Sequence, residues 1–235
     1  MSSMGLNVES DLWPDRASFL GVFVNRLQTV GMDFGEVESF FDAAVSRTCD
    51  RLSTISPHQR INRSKAGRAR LSATHFSSQC LFLYEISRQA FLSGELELAD
   101  RLYFLNVATT SADLFYEVEL PTTTGCEHPL GSVIGRARFE TSSSVFFYNS
   151  CVIGGSYEGA NQRTYPRVEG SLLMYPHSSL IGNVVVRGRV IVGHGVRLID
   201  SGLLEDVVLS VVNGQVRDRP FNERDRVVHG KFISS

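Results

Sequence analysis

The stretch VEGSLLMYPHSSLIGNVVVRGRVIVGHGVRLIDSGLL, residues 168–204, repeats with a period of six. Every sixth residue from its start, Val168, Met174, Leu180, Val186, Val192, Leu198 and Leu204, is apolar. Four residues further on stand Leu172, Ser178, Val184, Val190, Val196 and Gly202, all small or branched. A period of six is neither that of a helix nor that of a simple strand. It is the mark of a solenoid in which each hexapeptide forms one flat side of a triangular prism, and three complete a coil. The same phase is found upstream at Val133, Phe139, Val145 and Cys151, with Ala137, Ser143, Asn149 and Gly155 in the small positions. Residues 120–205 thus have room for about four or five coils, each burying its apolar ladder only against its neighbours. The phase breaks between Cys151 and Val168. There GGSYEGANQRTYP is too polar and glycine-rich for a buried side, and an extruded loop is expected, a place where binding residues tend to sit.

From about residue 10 to 112 the apolar period is helical. FLGVFVNRL and VESFFDAAVSRTCDRL carry apolar stripes at i, i+3, i+4 and i+7, and SSQCLFLYEISRQAFLSG ends in a candidate glycine cap at Gly94. LELADRLYFLNVATTSADLFYEV adds a helix that runs into an extended segment. Pro57 and the run RINRSKAGRAR, basic from Arg60 to Arg70, separate the early helices from the later ones, and the run is expected to be a solvated loop. At the other end LSVVNGQVRDRP has an Asn-Gly turn between two β-type runs, the mark of a hairpin that could cover the last coil. The expected fold class is therefore α plus β-solenoid: a helical N-terminal domain over 1–112, a parallel β-helix over 113–212 and a C-terminal hairpin end over 213–235.

Composition restricts the function classes. With 23 basic and 25 acidic residues the net charge is -2, which offers no general attraction to nucleic acid or anionic lipid. No window approaches the roughly 18–20 apolar residues of a membrane span, and the first residues lack the basic start of a secretion signal. A cytoplasmic protein with no membrane contact is expected. Cys49, Cys80, Cys126 and Cys151 are scattered without metal-site spacing and are expected as reduced thiols. His58, His75 and His229 have no neighbouring metal-binding pattern, His177 and His194 fall at corners of the repeat, and Trp13 and the Phe40/Phe41 pair are expected in core or subunit contacts. No metal is expected.

Five ordered stretches resemble the hexapeptide-repeat acyltransferases, and among them the serine acetyltransferase group. EHPLGSVIG, with Gly131 and Gly135 in register behind His128, is similar to that group's D-H-A-T-G-I-V-V-G. NSCVIGG, Asn149–Gly155, is similar to Q-S-V-T-L-G-G, QRTYPRV to the loop ending D-R-H-P-K-I, and LIGNVVVRGR to I-L-G-N-I-E-V-G-R-G. A helix leading into VEL takes the place of the one leading into V-D-I-H-P. The resemblance covers residues 75–205.

The resemblance implies a left-handed β-helix and a trimer, with helical domains able to pair trimers into hexamers. It implies acetyl transfer from acetyl-CoA, as co-substrate, to the hydroxyl or amine of a small-molecule acceptor. His128 would be the general base, since an imidazole can remove a hydroxyl proton near neutral pH, and a carboxylate would orient it. The family's V-D-I-H-P places that carboxylate at Glu119, with Glu117 as competitor, across a coil that looks shortened. Glu127, Asn149, Arg163 and Tyr165 would meet the acceptor, and Gly154, Gly155, Ser178 and Gly182 the acetyl-CoA, although glycine and serine at corners also serve tight bends. Tyr165 stands where the family has a second histidine. This departure makes a sugar acceptor of surface-polysaccharide pathways an alternative to serine, and a catalytically retired scaffold is the further alternative.

Overall fold

The structure, a computed structural model, describes residues 16–55, 71–158 and 162–233. Trp13, Pro57, His58 and the basic run Arg60–Arg70 lie outside the described residues. Four helices come first: α1 (Arg16–Thr29), α2 (Glu38–Thr54), α3 (Phe76–Leu92) and α4 (Leu96–Thr110). The strands β1 (Asp113–Leu114), β2 (Thr123–Cys126), β3 (Val133–Ile134), β4 (Arg138–Phe139), β5 (Ser144–Phe147) and β6 (Val152–Gly154) follow. Next come β7 (Ser156–Glu158), β8 (Gln162–Thr164), β9 (Arg167–Val168), β10 (Ser171–Met174), β11 (Ser179–Ile181) and β12 (Val184–Val192). The chain ends with β13 (Arg197–Ile199), β14 (Gly202–Val212), β15 (Gln215–Pro220) and α5 (Glu223–His229).

The helices follow the apolar stripes. Phe41, Ala44, Val45, Cys49 and Leu52 form the buried face of α2, while α3 is buried on almost every side and runs through the middle of the helical layer. Phe82 on α3 meets Phe19, Phe23 and Phe41 with ring centroids 4.9–5.6 Å apart, edge to face, a favoured aromatic geometry. Gly94, at φ +86°, ends α3 as expected, and Phe40 is half-buried beside the core residue Phe41.

The solenoid is built from parallel short strands. One face stacks β1, β3, β6, β11 and β13, so the prism has about five coils. Its inward row is Leu114, Ile134, Ile153, Leu180 and Leu198, all buried. A second face stacks β2, β5, β10 and the later part of β12, and a third stacks β4, β9 and the start of β12. The downstream period from Val168 to Leu198 runs through buried positions, with Leu204 partly buried. Upstream the phase slips. Val133 faces outward and Ile134 takes its place, because the inward positions Ile134 and Ile153 are 19 residues apart, not 18. Cys151 is buried in a corner, and Ile153 takes the inward place. The second face supplies two buried residues per coil, Val145 and Phe147, and the count of six to Ile153 starts from the second.

The second face is covered on its outside as well, so all four residues of β5 are buried. Ile55 at the end of α2 bridges Ile233, Phe232 packs on Phe146, and His229 of α5 hydrogen-bonds Ser171 at 2.8 Å. The expected hairpin is β14–β15, whose turn residues Asn213 and Gly214 both have positive φ, as the tight hairpin turn requires. The short helix after it, with Asn222 capping and Asp225 bound to Arg219, was not foreseen from the sequence.

A buried ion pair joins the helices to the first coil. Arg51 Nε lies 2.5 Å from Glu85, and the guanidinium also donates to the carbonyls of Leu120 and Pro121. The Tyr84 hydroxyl donates to Val118 O at 2.6 Å and accepts from Leu120 N at 3.1 Å. The segment between β1 and β2 is thereby held by its backbone. Arg51→Ala would leave Glu85 charged and unpaired in the interior and should cost about 3–5 kcal/mol, read as a lower urea midpoint.

His229 is the acid-sensitive point of the C-terminal cover. Burial, and then the nearby Arg189, lower its pKa to about 4. In the unfolded chain it would take up a proton near pH 6.5, so below that pH the unfolded state binds the proton and the folded state does not. Stability should therefore fall as pH drops from about 6.5 towards 4. In urea titrations His229→Phe should remove that part of the slope.

Candidate active site

The corner between the second and first faces is regular except in the first coil. Cys126 is in register with Phe147 and Val133 with Val152, so residues 127–132 occupy a corner that residues 148–151 fill in the next coil. Partners on the first face confirm the excess. Ser179 and Arg197 are 18 residues apart, three hexapeptides, whereas Asp113 and Val133 are 20 apart. The two additional residues are pushed outward at His128.

Left-handed backbone marks this corner in every coil. Ser111, Gly131, Ser150, His177 and Gly195, each two residues before the first-face strand, have φ between 54° and 71°. His128 adds a further left-handed residue, φ 51°, that has no counterpart in the other coils. A non-glycine residue there costs roughly 1–2 kcal/mol, and the surroundings hold it in place. Pro129 is buried, Ser132 N donates to Pro129 O at 3.0 Å, and Gly131 N donates to Ser111 O at 2.7 Å. His128 itself is exposed on the surface of the turn.

Glu127, half-buried, is hydrogen-bonded by the Tyr148 hydroxyl of the next coil. Burial, and then Glu127, push the Tyr148 phenol up, so it stays protonated and donates. Tyr148 in turn stacks on Tyr175 at 5.6 Å, which fixes the column. Asn149 is half-buried at the same corner. Glu127, His128 and Asn149 are thus brought together.

Glu119 is not brought to that corner. It is largely exposed, lies 3.4 Å from Arg88, and shares a hollow of about 270 Å³ with Glu117, Arg136, Arg138 and Tyr165. Glu117 is ion-paired to Arg136 at 2.8 Å. The carboxylate that the first strand places beside the His128 turn is Asp113. Its N–H donates to Ser132 O at 2.8 Å, and its Oδ1 accepts from the Tyr103 hydroxyl at 2.6 Å. From Asp113 to its partner Val133 the first coil runs 20 residues. The sequence did not single out Asp113, because two-residue β1 has no periodicity of its own.

The extruded loop begins as the antiparallel ribbon β7–β8 and is tied down at its base by Asp200. The Asp200 carboxylate accepts from Asn183 N at 2.7 Å and from the Ser156 and Thr164 hydroxyls at 3.3 Å. Arg163 lies over the Tyr157 ring, 4.6 Å from its centroid, and the Tyr165 ring rests against Gly155, where a Cβ would come within 2.8 Å of it. Together with Gly135, Gly154 and Arg136 these residues line a hollow of about 390 Å³ on the first face. A Cβ at Gly154 would meet nothing closer than Ile181 at 3.9 Å, so its smallness leaves open space in that hollow. Ser178 and Gly182 differ from Gly154 and Gly155. Ser178 is buried with its hydroxyl on Tyr175 O at 2.7 Å, and Gly182, at φ +73°, is packed by Asp200. Among the described residues no cluster of three or more metal-ligating side chains occurs, and no helix is long and apolar enough to cross a membrane.

No protein-family model matches the chain, and no curated protein matches it in sequence. Solved structures do match over most of its length. The serine acetyltransferase of Vibrio cholerae O1 superposes with a TM-score of 0.67 at 15% identity, over 90% of this chain and 82% of that one. This chain has the serine acetyltransferase fold. The Neisseria gonorrhoeae enzyme gives 0.63 at 14% identity, over 88% and 81% of the two chains. The Brucella abortus serine acetyltransferase in complex with coenzyme A gives 0.61 at 12% identity, over 88% and 84%. At such identities the likeness is one of architecture, helices followed by a parallel solenoid.

In Gly182→Ala the new Cβ would stand 2.1 Å from Asp200 Oδ1 in a left-handed backbone. The variant should lose about 1–3 kcal/mol and loosen the ribbon base, seen as a lower thermal midpoint and faster proteolysis within residues 156–165.

Proposed function

We propose that the protein is an acetyl-CoA-dependent O-acetyltransferase with His128 as general base. The observation that carries the reading is the two-residue expansion of one corner, which lifts a left-handed histidine and a positioned glutamate out of an otherwise regular coil. Strained, over-determined residues of this kind cluster at active sites. The acceptor hydroxyl gives its proton to His128 as its oxygen bonds to the acetyl carbonyl carbon. The C–S bond then breaks, and the imidazolium returns the proton to the departing thiolate. Asp113, rather than Glu119, is the carboxylate we assign to orienting His128. Acetyl-CoA would lie along the first face, where Gly135, Gly154 and Gly155 leave room for a pantetheine arm, with Ser178 and Gly182 shaping the coils from within. Coenzyme A bound to a structural neighbour supports this choice of donor. Exposed Leu130, Val133 and Ile199 fit the packing of a second prism against this part of the surface, in agreement with a trimer whose sites lie between copies.

Serine is the acceptor suggested by the neighbours. Tyr165 favours a second acceptor class, a sugar hydroxyl, because a phenol offers a hydrogen bond but no positive charge for a carboxylate. Arg163 beside it could still supply that charge.

Release of free CoA, followed with L-serine and with a sugar panel, tests the reading. His128→Ala should lower turnover by about 100-fold or more with folding intact. Asp113→Asn should lose at least an order of magnitude, and Glu119→Gln should stay within a factor of about two to three, as expected for a surface charge. Full activity in His128→Ala would reject the mechanism, and equal losses at the two carboxylates would return Glu119 to consideration.

A further inference from the structure

A titratable group that the proposed acyl transfer does not use lies near the corner that carries His128. His75, which precedes α3, lies within electrostatic reach of both Glu127 and His128. The two elements are locked together at this level. Cys80, five residues along in α3, is hydrogen-bonded to Cys126, the residue before Glu127, and Asn106 holds Cys80 O at 3.0 Å. His75 is half-buried, and its Nδ1 is fully buried with no hydrogen-bond partner.

That orphan atom decides the tautomer. Burial, and then His128, lower the pKa of His75 against the pull of Glu127, so the ring is neutral at pH 7. A neutral imidazole has one N–H, and a buried N–H without a partner is rarer and costlier than a buried lone pair. The proton therefore belongs on Nε2. The corner then presents a carboxylate that accepts, a neutral imidazole that donates, and His128.

We infer that His75 is an acceptor-binding residue that donates from Nε2 to one hydroxyl of a vicinal diol, while Glu127 accepts from the same hydroxyl and His128 deprotonates its neighbour. The assignment rests on the acyl-transfer reading and narrows its acceptor to a sugar or polyol. A hydroxyl both donates and accepts, so it can satisfy Glu127 and His75 together. An ammonium has nothing to accept with, and a carboxylate is repelled by Glu127. His75 did not stand out in the sequence because it is distant from residues 127–128 and has no motif around it.

The test compares the wild-type protein with His75→Ala and His75→Gln on paired acceptors, a diol sugar and the deoxy analogue lacking the second hydroxyl. The wild type should prefer the diol by 10-fold or more in kcat/KM. His75→Ala should raise KM for the diol and abolish the preference while kcat and KM for acetyl-CoA stay within about 2-fold, and His75→Gln, which keeps a donor, should restore part of it. An unchanged diol KM in His75→Ala overturns the inference. If no acceptor is turned over, the proposed activity fails, and nitrogen-edited NMR of the substrate-free protein still decides on His75. A neutral Nε2–H ring supports it, and an Nδ1–H ring overturns it.

Discussion

A coil of this prism cannot bury its own inward row. Leu114, Ile134, Ile153, Leu180 and Leu198 are out of water because each stacks on the row member of a neighbouring coil, and that stacking requires neighbouring strands to stay in register. Eighteen residues complete a turn, so any surplus must leave at a corner. Two surplus residues push the first coil outward at His128, two more widen the corner between β4 and β5, and a longer surplus becomes the ribbon that carries Arg163. The candidate site lies where the register rule is broken, and the rigidity of the unbroken part holds it there.

The helical layer contributes more than a cap on the first coil. Arg51, Glu85 and Tyr84 hold the backbone from Val118 to Pro121, and Arg88 donates to Tyr116 O at 2.9 Å. The same segment carries Glu117 and Glu119, whose charges face Arg136 and Arg88 instead of the His128 corner. Because α3 is buried and tied to β2 through Cys80 and Cys126, its N-terminal end is held near the corner, with His75 within electrostatic reach of Glu127 and His128. Helices and solenoid are therefore packed together near residues 127–128.

The six-residue period announced the solenoid, and the 3.6-residue period announced the helices before it. The Asn-Gly pair announced the hairpin, because both turn positions need positive φ. The polar interruption after Cys151 marked the extruded ribbon. Each of these is a local property that a linear chain displays without reference to distant parts of itself.

Other assignments depended on distance across the fold. The place of Asp113 beside the His128 turn could not be counted along the chain, because a two-residue strand leaves no pattern and only pairing with Val133 sets it there. Glycines of one type divided into an open one, Gly154, and a packed one, Gly182, according to whether a neighbouring coil fills the space at Cβ. His75 and Glu127, 52 positions apart, come within electrostatic reach only because a buried helix docks on the first coil. The sequence by itself determined the period, and with it the architecture. Tertiary structure alone decided which polar groups share a corner, because hydrogen bonding and burial act between atoms close in space, and stacked coils bring together residues that the chain keeps apart.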